Sequence, residues 1–139
     1  MAGHSQELAQ LSLIEVGKRI ADSEISPVEV TRNALDRLEM YGSALGATTQ
    51  ILADEAISSA RRAEREIGGG DYRGPLHGVP IGIKDLADVE GAITTAGSDV
   101  FGNRPASSDA SLVQLLKKAG AVIVCKLNCD EFAYHPTGA

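Results

Sequence analysis

The chain has 139 residues, which suits one domain and leaves little room for two. Hydrophobic residues make up 43% and charged residues 23%, enough apolar side chain to build a core and too much for a disordered segment. With 13 Lys+Arg against 19 Asp+Glu the net charge is −6, and only 4% of residues are aromatic, so a nucleic-acid partner, which needs a clustered basic face with stacking rings, is not expected.

The elements follow in chain order. Residues 7–21 place Leu8, Leu11, Ile14 or Glu15, and Lys18 or Arg19 on successive turns, a moderately amphipathic helix. Ser26-Pro27-Val28-Glu29 reads as a capping box with Pro at the first helical position, opening a helix that runs to about Tyr41. Residues 47–52 (ATTQIL) fit a short strand. Residues 53–67, Ala-rich with interleaved charges, form a helix that stops at Gly68-Gly69-Gly70. Val79, Ile81 and Ile83 then alternate around Pro80 and Gly82 as a strand 79–83 that ends in charge at Lys84-Asp85. Ser108 or Asp109 caps a helix through Ala119, with Gly120 just past its end. Residues 121–125 (AVIVC) are a continuous apolar run, which suits a strand covered on both faces. Strand, helix and strand make a βαβ-type unit, right-handed if the strands are parallel.

Several candidates for chemistry stand out. Lys84 lies at the C-terminal end of a strand, where open α/β sheets place ligand sites. Held in apolar surroundings, a lysine loses the hydration of its charged form and moves toward acting as a base. The plain alternative is a Lys84 paired with Asp85 or Asp88, or reaching to water. Lys126 follows its own strand in the same way, and spacing does not separate the two lysines. His77, between Leu76 and Gly78, reads as a structural histidine in a tight turn rather than an acid or base. Gly68-Gly69-Gly70 follows a helix, whereas a phosphate-binding loop follows a strand, so it ends a helix. Cys125 and Cys129 have no second pair or histidine cluster and make neither a zinc site nor a disulfide framework. Asp130 and Glu131, adjacent and pointing apart, suit capping or solvation. No run of ~18 apolar residues spans a membrane, and the start, MAGHSQELAQ, lacks the basic and apolar parts of a secretory signal. The expectation is a soluble cytoplasmic protein with no membrane partner.

The segment Gly74-Pro75-Leu76-His77-Gly78-Val79-Pro80-Ile81-Gly82-Ile83-Lys84-Asp85 resembles the opening block of the amidase-signature family. Thr94-Thr95-Ala96-Gly97-Ser98 resembles its threonine-rich segment, and Lys126-Leu127-Asn128-Cys129-Asp130-Glu131-Phe132-Ala133 the loop after its next strand. The helix opening at Ser26 is similar to the family's N-terminal helix. The resemblance implies an α/β fold, N-terminal helices (1–70) leading into the first part of a mixed sheet (71–139), truncated within one domain. It implies a Ser–cis-Ser–Lys triad with Lys84 as the catalytic lysine, no metal and no cofactor. Ala133 and Tyr134, with His135 beside them, would border the acyl-binding pocket, the substrate being a small-molecule amide. In the family both serines, and a glycine-rich segment whose backbone forms the oxyanion hole, lie downstream of the matching region. None of Ser98, Ser107, Ser108 or Ser111 stands in such a segment.

The leading expectation is thus an N-terminal fragment of an amide hydrolase, inactive alone. The glutamine-hydrolysing component of a glutamine-dependent amidotransferase is a close alternative, although that branch carries a different Thr-Thr segment and a Met-Gly-Ser-Ser-like stretch where this chain has Tyr134-His135-Pro136-Thr137. A non-catalytic remnant or interaction module is the third. Strands 79–83 and 121–125 lack sheet neighbours in this reading, and open strand edges pair readily. Residues 1–139 alone are therefore expected to be marginally stable or to self-associate, as a homodimer for example. Analytical ultracentrifugation with denaturant unfolding checks this, and a monomer of ordinary small-domain stability contradicts it.

Overall fold

The computed structural model describes residues 7–101 and 103–134. Helix α1 spans Leu13–Ala21 and helix α2 Pro27–Tyr41. Strand β1 (Thr48–Ile51) leads into helix α3 (Ala53–Gly68), followed by strand β2 (Pro80–Lys84), helix α4 (Ser111–Lys118) and strand β3 (Val122–Leu127). Two short 3-10 turns lie at Asp99–Phe101 and Glu131–Ala133.

The mixed sheet has the order β1-β3-β2, with β3 antiparallel to β1 and parallel to β2. The short 47–52 segment therefore joins the same sheet as the later strands. Central β3 is buried almost throughout, which accounts for its unbroken apolar run. On one face, α2 and α3 supply Val28, Leu35, Ala56 and Ala60 against Val122, Val124 and Cys125. The buried residues of α3 are Ala56, Ala60 and Ala63, one stripe of small side chains that lets the helix lie close. On the other face, Val113 of α4 packs with Ile83, Val89, Ala92 and Ile123. A third cluster, Leu8, Val16, Ile20, Ile25, Val30 and Val79, joins α1 to α2 and to the approach to β2.

Two of the boundaries that differ from the sequence expectation have a side-chain cause. The helix expected over 7–21 is interrupted, and α1 starts after Ser12. The Ser12 hydroxyl accepts from the Glu15 N–H at 3.3 Å while the Glu15 carboxylate accepts from the Ser12 N–H at 2.8 Å, a capping box that ends the preceding turn. Asp109 does not cap α4, whose N-cap is Ala110 without a side-chain bond. Its carboxylate instead accepts from the Glu90 N–H at 2.8 Å and from Lys117 Nζ at 2.7 Å, tying the preceding loop to the last turn of the helix. Ser26 caps α2 as expected, accepting from the N–H groups of Val28 and Glu29, and its own hydroxyl donates to Glu64 of α3.

The parallel pairing contains a bulge. Ile81 pairs with Ile123, yet Gly82 pairs with Cys125, so Val124 has no register partner. Val124 and Cys125 then both join the α2–α3 cluster, and Lys126, opposite Ile83, is turned to the other face.

His77 anchors the entry to β2. Its ring is 1% exposed, Nε2 lies 2.9 Å from the Glu66 carboxylate, and Nδ1 accepts from the Arg73 N–H at 3.1 Å. Gly120 presses on this ring with φ +87°, and a Cβ there would fall 2.3 Å from His77 Cδ2. Gly120→Ala is expected to cost about 2 kcal/mol or more through the positive φ and the overlap, read as a lower urea midpoint. An unchanged midpoint would contradict this packing.

Candidate active site

β2 ends in Lys84, whose side chain is exposed and has no hydrogen-bond or ion-pair partner among the described residues. β2 is an edge strand of the described sheet, and nothing described covers its last residue. The apolar enclosure expected around Lys84 is therefore not formed by these residues. Of the plain alternatives, pairing with Asp85 is not formed, and the exposed side chain fits a lysine reaching to water.

Asp85 is taken by the other lysine. Lys126 was expected to follow its strand but lies inside β3 and is wholly buried. Its Nζ is 2.7 Å from Asp85 Oδ1, donates to Thr94 Oγ1 at 2.8 Å and donates to the Ile93 carbonyl at 3.2 Å. Asp85, equally buried, accepts at Oδ2 from the Thr95 hydroxyl at 2.6 Å and from the Thr95 N–H at 3.2 Å. Burial pushes the Asp85 carboxyl up, but the Lys126 ammonium and the Thr95 donors outweigh it and hold the group below its ordinary value.

The pair also organises the backbone. The Asp85 N–H donates to the Leu127 carbonyl at 2.8 Å, and the Asp85 carbonyl accepts from the Ala96 N–H at 2.9 Å. The Ala96 carbonyl in turn accepts from the Phe132 N–H at 2.7 Å. Ala96, Phe132 and Ala133 all have positive φ, and Gly97 (φ +69°) comes so close to the second loop that a Cβ would lie 2.4 Å from the Cys129 carbonyl oxygen. Ser98 adds a side-chain link, its hydroxyl donating to Glu131 at 2.7 Å.

Ala133 and Tyr134 sit in this second loop, joined to the end of β2 through Ala96 and Phe132. Tyr134 is 91% exposed and so does not pack the loop onto the described core. His135 lies outside the described residues. No described serine hydroxyl bonds to Lys84. The structural work of Asp85, Thr94 and Thr95 was not read from the residues, although the two adjacent threonines after a Lys-Asp strand end were the available signal.

A partner-free strand-end lysine beside a buried ion pair is the arrangement to set against known proteins. Residues 29–139 match the Amidase family, and the chain belongs to that family. It is 42% identical over 132 residues to a glutamyl-tRNA(Gln) amidotransferase component, the A-subunit, of Geobacter sulfurreducens, covering 95% of this chain and 27% of that protein. A putative amidase, AmiD, of Mycobacterium bovis is 38% identical over 133 residues, covering 94% of this chain and 28% of that protein. Among solved structures, the peptide amidase of Stenotrophomonas maltophilia superposes with a TM-score of 0.82 at 33% identity, over 91% of this chain and 26% of that one. The chain thus spans about a quarter of the length of these relatives.

Removing one partner of a buried ion pair leaves an uncompensated charge, at a typical cost of about 3–5 kcal/mol. Asp85→Asn and Lys126→Met are each expected to lose that much in urea unfolding, and the double variant less than their sum. The pH dependence follows from the lowered Asp85 value. The stability it contributes is present above the unfolded carboxylate range near ~3.9 and is lost as pH falls through that range toward the folded value. Unfolding midpoints should therefore fall in acid more steeply for the wild type than for Asp85→Asn. Parallel acid profiles, or single losses well under about 1 kcal/mol, would contradict the pair's role.

Proposed function

We propose that this chain is the N-terminal part of an amidase-signature hydrolase that cleaves carbon–nitrogen amide bonds through a serine acyl-enzyme, with Lys84 as its base. The observation that carries this reading is the contrast between the two strand-end lysines. Lys126 is buried in an ion pair with Asp85, whereas Lys84 stands exposed at the C-terminal end of β2 without a described partner.

Neutral Lys84 takes a proton from a bridging serine, which takes one from the nucleophilic serine as that oxygen attacks the amide carbonyl. Serine is a weak nucleophile at its free pKa, so this relay is what makes the attack possible. The proton returns to the departing amine, and water or another acceptor then releases the acyl group. By the family resemblance, both serines and the backbone donors for the oxyanion belong downstream of the region matched here. Ala133 and Tyr134 border the acyl group. The substrate is a small-molecule amide rather than a nucleic acid, and the two free thiols suit work in a reducing cytoplasm. The 139-residue chain is inactive alone, because the oxyanion donors and the nucleophile supply most of the transition-state stabilisation.

A second reading is favoured by the 42% identity to a glutamyl-tRNA(Gln) amidotransferase component. There the same chemistry releases ammonia from glutamine within a larger assembly. Comparing glutamine with simple amides as substrates of the full-length gene product separates the two.

In that full-length product, Lys84→Ala is expected to abolish acyl-enzyme formation with the fold intact, and Lys126→Ala to be much milder on chemistry. General-base help is worth ~10²–10⁴-fold. Fluorophosphonate labelling of Lys84→Ala at the wild-type rate would overturn the assignment. In the 139-residue chain the same probe should label no serine faster than in the denatured chain, and stoichiometric labelling that depends on Lys84 would overturn the inactivity.

A further inference from the structure

Lys84 and Asp85 are neighbours in sequence at the end of β2, and a lysine beside a carboxylate is ordinarily held as its ammonium. Such a lysine makes a poor base. In this fold the Asp85 carboxylate is withdrawn from Lys84 and enclosed. Lys126 meets Oδ1 at 2.7 Å, while Thr95 donates twice to Oδ2. Thr94 and the Ile93 carbonyl occupy the remaining directions around the Lys126 ammonium. Both ionic groups are wholly buried. The β3 bulge makes this possible by turning Lys126 to the Ile83 face, whereas pleat alternation turns Lys84 to the opposite one.

We propose that Lys126 is a positioning residue for Lys84: by taking the Asp85 carboxylate into a buried pair closed by Thr94 and Thr95, it leaves Lys84 without an acidic partner and free to accept a proton. This rests on reading Lys84 as the base. Most of the other charged groups around this region are committed to other partners. Glu131, on the loop after β3, accepts from Ser98. Arg37 of α2 lies over the Tyr41 ring, 5.8 Å from its centroid, beside the groove floored by Gly82 and Leu127. On the α4 side, Asp109 is paired with Lys117. Asp88, on the same segment as Asp85, is exposed, and among the described residues only its carbonyl is bonded, to the Ala110 N–H.

The test is competitive labelling of lysines in the 139-residue chain with trace acetic anhydride at fixed mildly alkaline pH, read by peptide mass spectrometry. The exposed Lys18 and Lys118 serve as internal references, and sucrose supports the folded state. In Lys126→Met the uncovered carboxylate holds Lys84 as ammonium, and its relative rate should fall about threefold or more. In Asp85→Asn the uncovered Lys126 cation opposes the Lys84 ammonium, and the rate should rise. The double variant should return to the wild-type rate, and Lys126→Arg should keep it. A merely structural pair would disturb Lys84 in the same direction in both single variants. Rates unchanged, or shifted with the same sign, overturn the proposal. Circular dichroism identifies a variant that fails to fold. The remaining single variant then decides by its sign, and if neither folds, unchanged Lys84 labelling in Lys126→Arg supports the proposal while a fall of threefold or more overturns it. Labelling reads Lys84 itself, so its outcome is independent of whether Lys84→Ala abolishes acylation in the full-length enzyme.

Discussion

The buried ion pair of Asp85 and Lys126 is the contact on which the candidate site depends. Two opposite charges taken out of water are costly unless every remaining donor and acceptor is met. The chain supplies Thr94, Thr95 and the Ile93 carbonyl, while Asp85 Oδ1 has only the Lys126 ammonium at 2.7 Å, and this draws the segment 93–97 around the pair. Wrapping it needs the positive φ values of Ala96 and Gly97, and these direct the Ala96 carbonyl at Phe132 in the following loop. One electrostatic constraint thereby sets the end of β2, the threonine segment and the loop of Ala133 and Tyr134.

The surrounding layers hold this constraint in place. β3 is central, and the helices α2 and α3 cover one face while α4 covers the other. Gly82 lets the edge strand approach closely, since a Cβ there would meet Leu127 Cγ at 2.9 Å and Cys125 Sγ at 3.1 Å. At the far end, His77 closes against Glu66, Arg73 and Gly120, so β2 is fixed at both ends by buried polar groups. What is left exposed at its C-terminal end is the side chain of Lys84. The match of residues 29–139 to the Amidase family and the superposition on a peptide amidase give this arrangement its context.

The local elements were legible because short-range physics decides them. Ser26 with Pro27 starts α2, the alanine-rich stretch makes α3, and the unbroken apolar run at 121–125 becomes the central strand. Misreadings came where a side chain chose a partner that periodicity does not show. Asp109 prefers Lys117 and the Glu90 N–H to capping its own helix. Ser12 and Glu15 cap each other and split a periodic stretch that reads as one helix.

By itself the sequence determined the α/β class, the order of the elements, the family and the candidacy of Lys84, since each rests on composition, periodicity or an ordered set of motifs. Strand spacing left Lys84 and Lys126 equivalent, each at the end of an apolar strand, and only the resemblance of the block ending at Lys84-Asp85 favoured Lys84. The tertiary structure gave the two lysines different surroundings. A single bulge at Val124 turns Lys126 to the face where Asp85 and the threonines wait, and a one-residue shift of that kind leaves no mark on an unbroken apolar run.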